Sequence, residues 1–127
     1  MRHLAVMFAL GLGGCAAAPS AGSQHYVVFF QEWSAGLDDN AEATIGAASR
    51  WAEAHPGEPV IVSGYAEPEG SRQASIDLSR SRVDVVANQL TRHGVEPARI
   101  RLTAHGPIDA TTASTESRRV EIDIAGT

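Results

Sequence analysis

The residues best suited to chemistry lie in and just after a short loop that begins and ends with glycine. Residues Gly64–Gly70 read Gly-Tyr-Ala-Glu-Pro-Glu-Gly, and the helix predicted to follow carries Arg80 and Arg82. In α/β sheets, ligands bind beyond the carboxyl ends of the strands, which is where this loop is predicted to lie. Glu67 and Glu69 could act as the paired carboxylates of a glycosidase, although two carboxylates in one turn are common. Alternatively, Glu67 and Arg82 form a partly exposed ion pair that stabilises the loop by about 0–1 kcal/mol.

The rest of the sequence carries no recognisable catalytic or metal-binding motif. Five histidines are scattered along the chain, and no pair of them has the spacing typical of metal ligands. A Gly-x-Ser-x-Gly motif is missing, and the chain has no lysine, which excludes a Ser-x-x-Lys site. The formal net charge of −5 argues against non-specific binding of nucleic acid. We therefore expect a non-enzymatic binding protein without a metal or other cofactor.

The first fourteen residues are typical of a targeting segment rather than of a folded domain. A positively charged start precedes the apolar run Leu4–Leu12, which is too short to span a membrane. The run ends in Leu12-Gly13-Gly14-Cys15, which resembles a bacterial lipobox. The resemblance implies that residues 1–14 are removed and that Cys15, the only cysteine of the chain, is acylated. Residues 15–24 would then be the lipidated cysteine and a linker, Ala16 to Gln24, of at most about 30 Å. Ala16 resembles the residue that follows the cysteine in outer-membrane lipoproteins.

Four strands are predicted in the remaining residues, 25–127. Two continuous apolar runs, Tyr26–Phe30 and Val60–Val62, are typical of strands that are buried on both faces. Two later segments, 99–103 and 119–124, alternate between apolar and polar residues, which is typical of strands that bury only one face. The sheet is therefore expected to expose one of its faces to water.

Two helices are predicted between these strands. The first starts with a cap at Asp38 or Asp39 and ends at His55, and the second extends from Arg72 to His93. The order of elements is β-α-β-α-β-β, and a sheet with one wet face needs both helices on its other face. The predicted fold class is α/β (α+β), a two-layer sandwich of a mixed sheet and two helices that forms a single domain.

An ordered set of short motifs runs through this predicted domain. They are Gly64-Tyr65-Ala66-Glu67 with Gly70, Leu78-Ser79 with Arg82, Gly94-Val95, and Ser117-Arg118-Arg119-Val120-Glu121-Ile122. None of these motifs is specific by itself, but their order and spacing are similar to those of the OmpA-like peptidoglycan-binding domains. The resemblance covers about Tyr26 to Ile124, and the fold of that family has the same order of elements.

The resemblance implies a ligand and the residues that hold it. Members of this family bind the diaminopimelate of the peptidoglycan stem peptide, whose ammonium and carboxylate require a carboxylate and a guanidinium in the site. The matching positions are Glu67, then Arg82 fifteen residues later, and Arg118. Ser75 and Gln31 stand where the family usually has Asn and Asp, and Glu67 itself replaces an Asp. These three differences imply weaker binding or a shift to another diamino acid.

The expected function is that of an outer-membrane lipoprotein that tethers the membrane to the cell wall. Its acyl chains would hold the membrane, and its periplasmic domain would hold peptidoglycan. An alternative is an OmpA-like interaction module with a degenerate site, which docks on a periplasmic protein or an envelope machine. The three differences and the short linker favour that alternative. A third possibility is an enzyme that acts on wall polymers.

Three further large side chains have simple structural interpretations. Trp33 and Trp51 are expected to pack between helix and sheet, with a place at the rim of the ligand groove as the alternative for Trp33. Arg119 stands at the start of the last predicted strand and is expected to stabilise the sheet edge.

Overall fold

A computed structural model describes residues 22–68, 70–108 and 115–126. The predicted signal segment, Cys15, most of the predicted linker and Glu69 lie outside the described residues. The helices and strands follow one another as β1 (Gln24–Phe29), α1 (Asp39–Ala54), β2 (Val60–Ala66), α2 (Arg72–Arg92), β3 (Ile100–Pro107) and β4 (Arg119–Ile124). Neither helix is long and apolar enough, within this described part of the chain, to cross a membrane.

The four strands form one mixed sheet in the order β1-β4-β2-β3. β4 is antiparallel to both β1 and β2, and β2 is parallel to β3. Because β1 and β2 both run against β4, they point in the same direction and end at the same edge of the sheet. The predicted fold class, with its β-α-β-α-β-β order and mixed sheet, is confirmed.

Both helices begin at side-chain caps, of which the sequence predicts the one at Asp38. The carboxylate of Asp38 accepts a hydrogen bond from the backbone N–H of Ala41 at 2.7 Å, and Ser71 caps α2 by accepting from the N–H of Ala74. α2 ends before Gly94, whose φ of +104° is the left-handed conformation that commonly terminates helices. The predicted helix boundaries are therefore correct to within about one residue.

The core lies between the helices and one face of the sheet. Alternate residues of each strand point into it, and they meet one apolar stripe from each helix. The buried core includes Val28, Phe30, Ile45, Ala48, Ala52, Val60, Val62, Val83, Val86, Leu90, Val120, Ile122 and Ile124. These core residues run from Val28 in β1 to Ile124 in β4, so residues 22–127 include all of them.

The prediction that β1 and β2 are buried on both faces is wrong. The side chains of Phe29 and Ile61 are on the open face of the sheet, with 48% and 38% of their surfaces exposed. Both helices cover the other face, so even an apolar strand can bury only alternate residues. β2 also continues to Ala66, so that the first three residues of the predicted loop at Gly64 belong to a strand.

The third strand is longer than predicted and begins one residue later, at Ile100. It lies at the edge of the sheet and most of its residues are exposed or only partly buried, so it buries less of one face than the alternating pattern predicts. Arg99, which was expected in this strand, instead lies in a short 3-10 turn before it. Its guanidinium donates hydrogen bonds to the carbonyls of Ala52, His55 and Glu58, and thereby stabilises the connection from α1 to β2.

Candidate functional site

Two loops meet at the edge of the sheet where β1 and β2 end. The β1–α1 loop comprises residues 30–38, and the β2–α2 loop comprises residues 67–71, of which residue 69 is not described. The sheet topology brings them together, because β1 and β2 point the same way with only β4 between them. This edge is the usual position of a ligand site in an α/β fold.

A buried ion pair joins the two loops to α2. The Nη2 atom of Arg82 lies 2.8 Å from Oε1 of Glu67, and the two side chains are 0% and 1% exposed. The second carboxylate oxygen of Glu67 accepts a hydrogen bond of 3.4 Å from the backbone N–H of Trp33. Both oxygens of Glu67 therefore have partners inside the protein.

The guanidinium of Arg82 is also bound to backbone carbonyls on every side. Its Nε donates to the carbonyl of Ser34 at 2.8 Å, its Nη1 to that of Tyr65 at 3.1 Å, and its Nη2 to that of Gln31 at 3.1 Å. The guanidinium also lies over the ring of Phe30, 5.2 Å from its centroid. One side chain of α2 thus holds both ends of a tight turn in the β1–α1 loop, and binds the end of β2 as well.

Burial lowers the pKa of Arg82 from its ordinary value, because the charged guanidinium loses its hydration. The hydrogen bond and the negative charge of Glu67 oppose this effect, whereas the nearby positive charge of Arg118 adds to it. Because an arginine side chain stays protonated far above neutral pH, Arg82 remains charged at neutral pH despite the lowered pKa. A buried charge of this kind is tolerated only because its partners surround it.

The other predicted site residues lie around this ion pair. Ser75 is buried, and its hydroxyl donates to the carbonyl of Glu67 at 2.7 Å, so it fixes the start of the β2–α2 loop. Gln31 is exposed and contributes its carbonyl to Arg82. Arg118 donates from Nε to the carbonyl of Phe30 at 3.2 Å, and its Nη1 lies 3.9 Å from the exposed carboxylate of Glu32. The five residues that the resemblance assigns to the ligand site, Gln31, Glu67, Ser75, Arg82 and Arg118, therefore lie close together at this edge.

The sequence left two positions open for Trp33. The expectation that this residue packs between helix and sheet is wrong, because 47% of its surface is exposed. The tip of its indole lies over the β2–α2 loop, where a Cβ atom placed on Gly70 would be 3.7 Å from Cη2. Trp33 is therefore at the rim of the site, as the alternative interpretation holds. Trp51, in contrast, packs against the core as expected.

Arg119 has a structural environment on the open face of the sheet. Its Nε donates to Oε1 of Glu121 at 3.0 Å, and its guanidinium lies 4.1 Å from the centroid of the Tyr65 ring. The contact with Tyr65 joins β4 to β2, which agrees with the expected role of Arg119 in stabilising the sheet.

The arrangement has a buried, internally paired part and an exposed rim. Trp33, Gln31, Glu32 and Gly70 form the rim, together with the partly buried Arg118. The charges of Glu67 and Arg82 are complementary to a ligand that carries an ammonium and a carboxylate group. In this structure, however, these two side chains already bind one another. The described residues contain no group of three or more side chains placed to hold a metal ion.

Comparison with known proteins gives a consistent result. The chain is 27% identical over 121 residues to the peptidoglycan-associated lipoprotein of Brucella melitensis, covering 87% of this chain and 72% of that protein. Its fold is similar to the OmpA-like domain of FopA1 from Francisella tularensis, with a TM-score of 0.73, 17% identity, and coverage of 83% of this chain and 76% of that one.

A second solved structure, the peptidoglycan-associated lipoprotein from Burkholderia pseudomallei, matches with a TM-score of 0.69 and 20% identity. That match covers 80% of this chain and 90% of the other. The model of the OmpA family matches residues 29–122, which include both loops, the buried ion pair, both helices, β2, β3 and most of β4. This chain therefore belongs to the OmpA family.

Proposed function

We propose that this protein binds peptidoglycan non-covalently at the edge of the sheet where β1 and β2 end, and tethers the outer membrane to the cell wall. The observation that carries the proposal is that Glu67, Arg82 and Arg118 meet there, with Gln31 and Ser75 beside them. Membership of the OmpA family supports it, and so does the similarity to a relative named peptidoglycan-associated lipoprotein.

The proposed ligand is the diaminopimelate of the wall stem peptide, with its ammonium bound to Glu67 and its carboxylate to Arg82. Arg82 already donates to the carbonyls of Gln31, Ser34 and Tyr65, so a ligand carboxylate reaches it by replacing one of them. Binding therefore requires one of these hydrogen bonds to be exchanged, while the others keep the β1–α1 loop in place. Such an exchange replaces one set of charge-assisted hydrogen bonds by another, which favours selectivity over affinity.

The position of the site suits a tether. β1 begins at Gln24, directly after the proposed linker, and the site lies beyond the other end of the strand. Six residues of β-strand measure about 20 Å. In this proposal, residues 1–14 are a signal segment, and acyl chains on Cys15 hold the outer membrane. The domain of residues 25–127 then lies in the periplasm and points its site away from the membrane.

Co-sedimentation of residues 22–127 with purified sacculi tests the wall contact. We expect the wild-type domain to pellet and free diaminopimelate to release it. Glu67→Gln, which keeps a hydrogen-bonding side chain but removes the charge, should reduce pelleting. Arg50→Ala, a change at an exposed residue of α1, is the matched control and should pellet as the wild type does. A folded wild-type domain that stays in the supernatant contradicts the proposal.

One observation favours the alternative of an interaction module that docks on a periplasmic protein. The ion pair of Glu67 and Arg82 is buried and fully bound within the protein, as in a purely structural element. In that case the domain does not pellet with sacculi, although its thermal unfolding remains cooperative. Release of soluble wall fragments from the sacculi during the same incubation would instead support the enzymatic alternative.

A further inference from the structure

We infer that Trp33 is a specificity-determining residue of this site, whose indole packs against the aliphatic chain of the bound diamino acid. The inference rests on the proposed function, because it names the part of the wall ligand that the charged residues do not recognise. Trp33 combines two unusual features. Trp33 has a left-handed backbone with φ of +51°, and its large apolar side chain is 47% exposed.

The backbone conformation of Trp33 is unfavourable and is imposed by its surroundings. Trp33 is the one non-glycine residue with a positive φ in the described parts of the chain. Bulky residues rarely adopt this conformation, and such outliers cluster at functional sites. Gln31 and Ser34 flank the turn, and Arg82 holds both of their carbonyls. Glu67 holds the N–H of Trp33 itself. The buried ion pair therefore acts as a positioning element for this exposed residue.

The indole connects the two loops at the mouth of the site. Gly70 lies under its tip, and the φ of +87° at this glycine disfavours any larger residue there. An aromatic surface is thereby fixed between the β1–α1 loop and the β2–α2 loop. The core needs no side chain at this position, since about half of the Trp33 surface stays in water.

The chemistry of the ligand fits this surface. A diamino acid carries polar groups at both ends of a chain of methylene groups. When the charged groups of the site bind one end, the methylene groups lie close to the rim, and contact with an apolar surface there removes them from water and stabilises the complex. Trp33 is the exposed apolar side chain on the rim, whose other members are Gln31, Glu32, Gly70 and Arg118.

Tryptophan fluorescence allows a direct test, because the chain has two tryptophans and Trp51 lies against the core. Residues 22–127 are titrated with a soluble muropeptide that contains diaminopimelate, and the same variants are sedimented with sacculi. We expect Trp33→Ala to weaken binding by about tenfold or more and Trp33→Phe by about threefold or less. The change in emission on binding should persist in Trp51→Phe and be lost in Trp33→Phe. Thermal unfolding of each variant confirms that it is folded.

The outcomes separate this inference from the proposed function. If the wild-type domain binds neither sacculi nor muropeptide, the proposed function is wrong and the inference fails with it. If the wild type binds and Trp33→Ala binds equally well, only the inference is overturned. Loss of the emission change in Trp51→Phe, while muropeptide binding persists, also overturns it, because Trp33 would then not contact the ligand.

Discussion

Arg82 shows how much of this structure depends on a single residue. Its side chain leaves α2 and binds a carboxylate of the β2–α2 loop, two carbonyls of the β1–α1 loop and one carbonyl at the end of β2. A neutral side chain could not satisfy so many acceptors at once, because guanidinium has five donors in a fixed plane. The geometry of both loops is therefore coupled to this residue.

Removing one partner of the ion pair should be far more damaging than removing both. Arg82→Met leaves the Glu67 carboxylate buried without a counter-charge, and we expect the free energy of unfolding to fall by about 3–5 kcal/mol. The double variant Glu67→Leu with Arg82→Met should recover part of that loss, because no buried charge remains. Urea denaturation measures both values. If Arg82→Met costs less than about 1 kcal/mol, like a typical surface substitution, the pair is not buried as described.

At this scale the sequence predicts the residues of the site better than their roles. Spacing and resemblance bring Glu67, Arg82, Arg118, Ser75 and Gln31 to one place, and the structure confirms that proximity. It does not predict that the ion pair is buried, because the acceptors that surround Arg82 are backbone carbonyls. Every residue has such a carbonyl, so no pattern of side chains reveals which ones a guanidinium will reach.

At the scale of the elements, the sequence predicts a helix or strand well where a capping residue marks its start or an alternating pattern marks its buried face. The capped helices and the alternating β4 fall close to their predicted positions. The burial of Phe29 and Ile61 is predicted wrongly, because an apolar run does not show which of its faces a helix will cover. Gly64 misleads for another reason: glycine is typical of turns, but here it lies inside β2, where α2 passes too close for a side chain.

Two glycine substitutions should therefore have opposite effects on stability. A Cβ at Gly64 would lie 2.7 Å from the backbone carbonyl oxygen of Ser79 and would overlap Val83, so Gly64→Ala should cost about 1–3 kcal/mol. Gly46 lies in the middle of α1, and a Cβ there would be 3.5 Å from the flexible end of Arg50. Gly46→Ala should stabilise the protein by about 0.5–1 kcal/mol, because alanine favours the helix. Thermal and urea unfolding of the two variants provide the comparison, and equal effects would contradict the close packing of α2 on β2.

At the scale of the whole molecule, the direction of β1 is the feature that relates anchor and site. The strand enters the sheet directly after the proposed linker and ends at the loops. Extended, residues 16–23 reach at most about 30 Å, and β1 adds about 20 Å, so the site can lie up to about 50 Å from the point of acylation. In the proposed tether, the membrane contact and the wall contact would therefore lie at opposite ends of β1.

The membrane contact can be separated from the wall contact by one substitution. If Cys15 carries the acyl chains, cells that express the full chain should incorporate a palmitate analogue into the wild-type protein and not into Cys15→Ser. Stable anchoring takes two or more acyl chains, so Cys15→Ser, which would carry none, should also lose its association with outer-membrane fractions. Ala17→Ser makes a comparable change two residues away and should behave as the wild type.

Because Cys15 lies outside the domain, purified residues 22–127 should bind sacculi whether or not the full chain is acylated. Incorporation of the analogue into Cys15→Ser would contradict acylation at this residue, and would leave the wall contact to be judged on sedimentation alone.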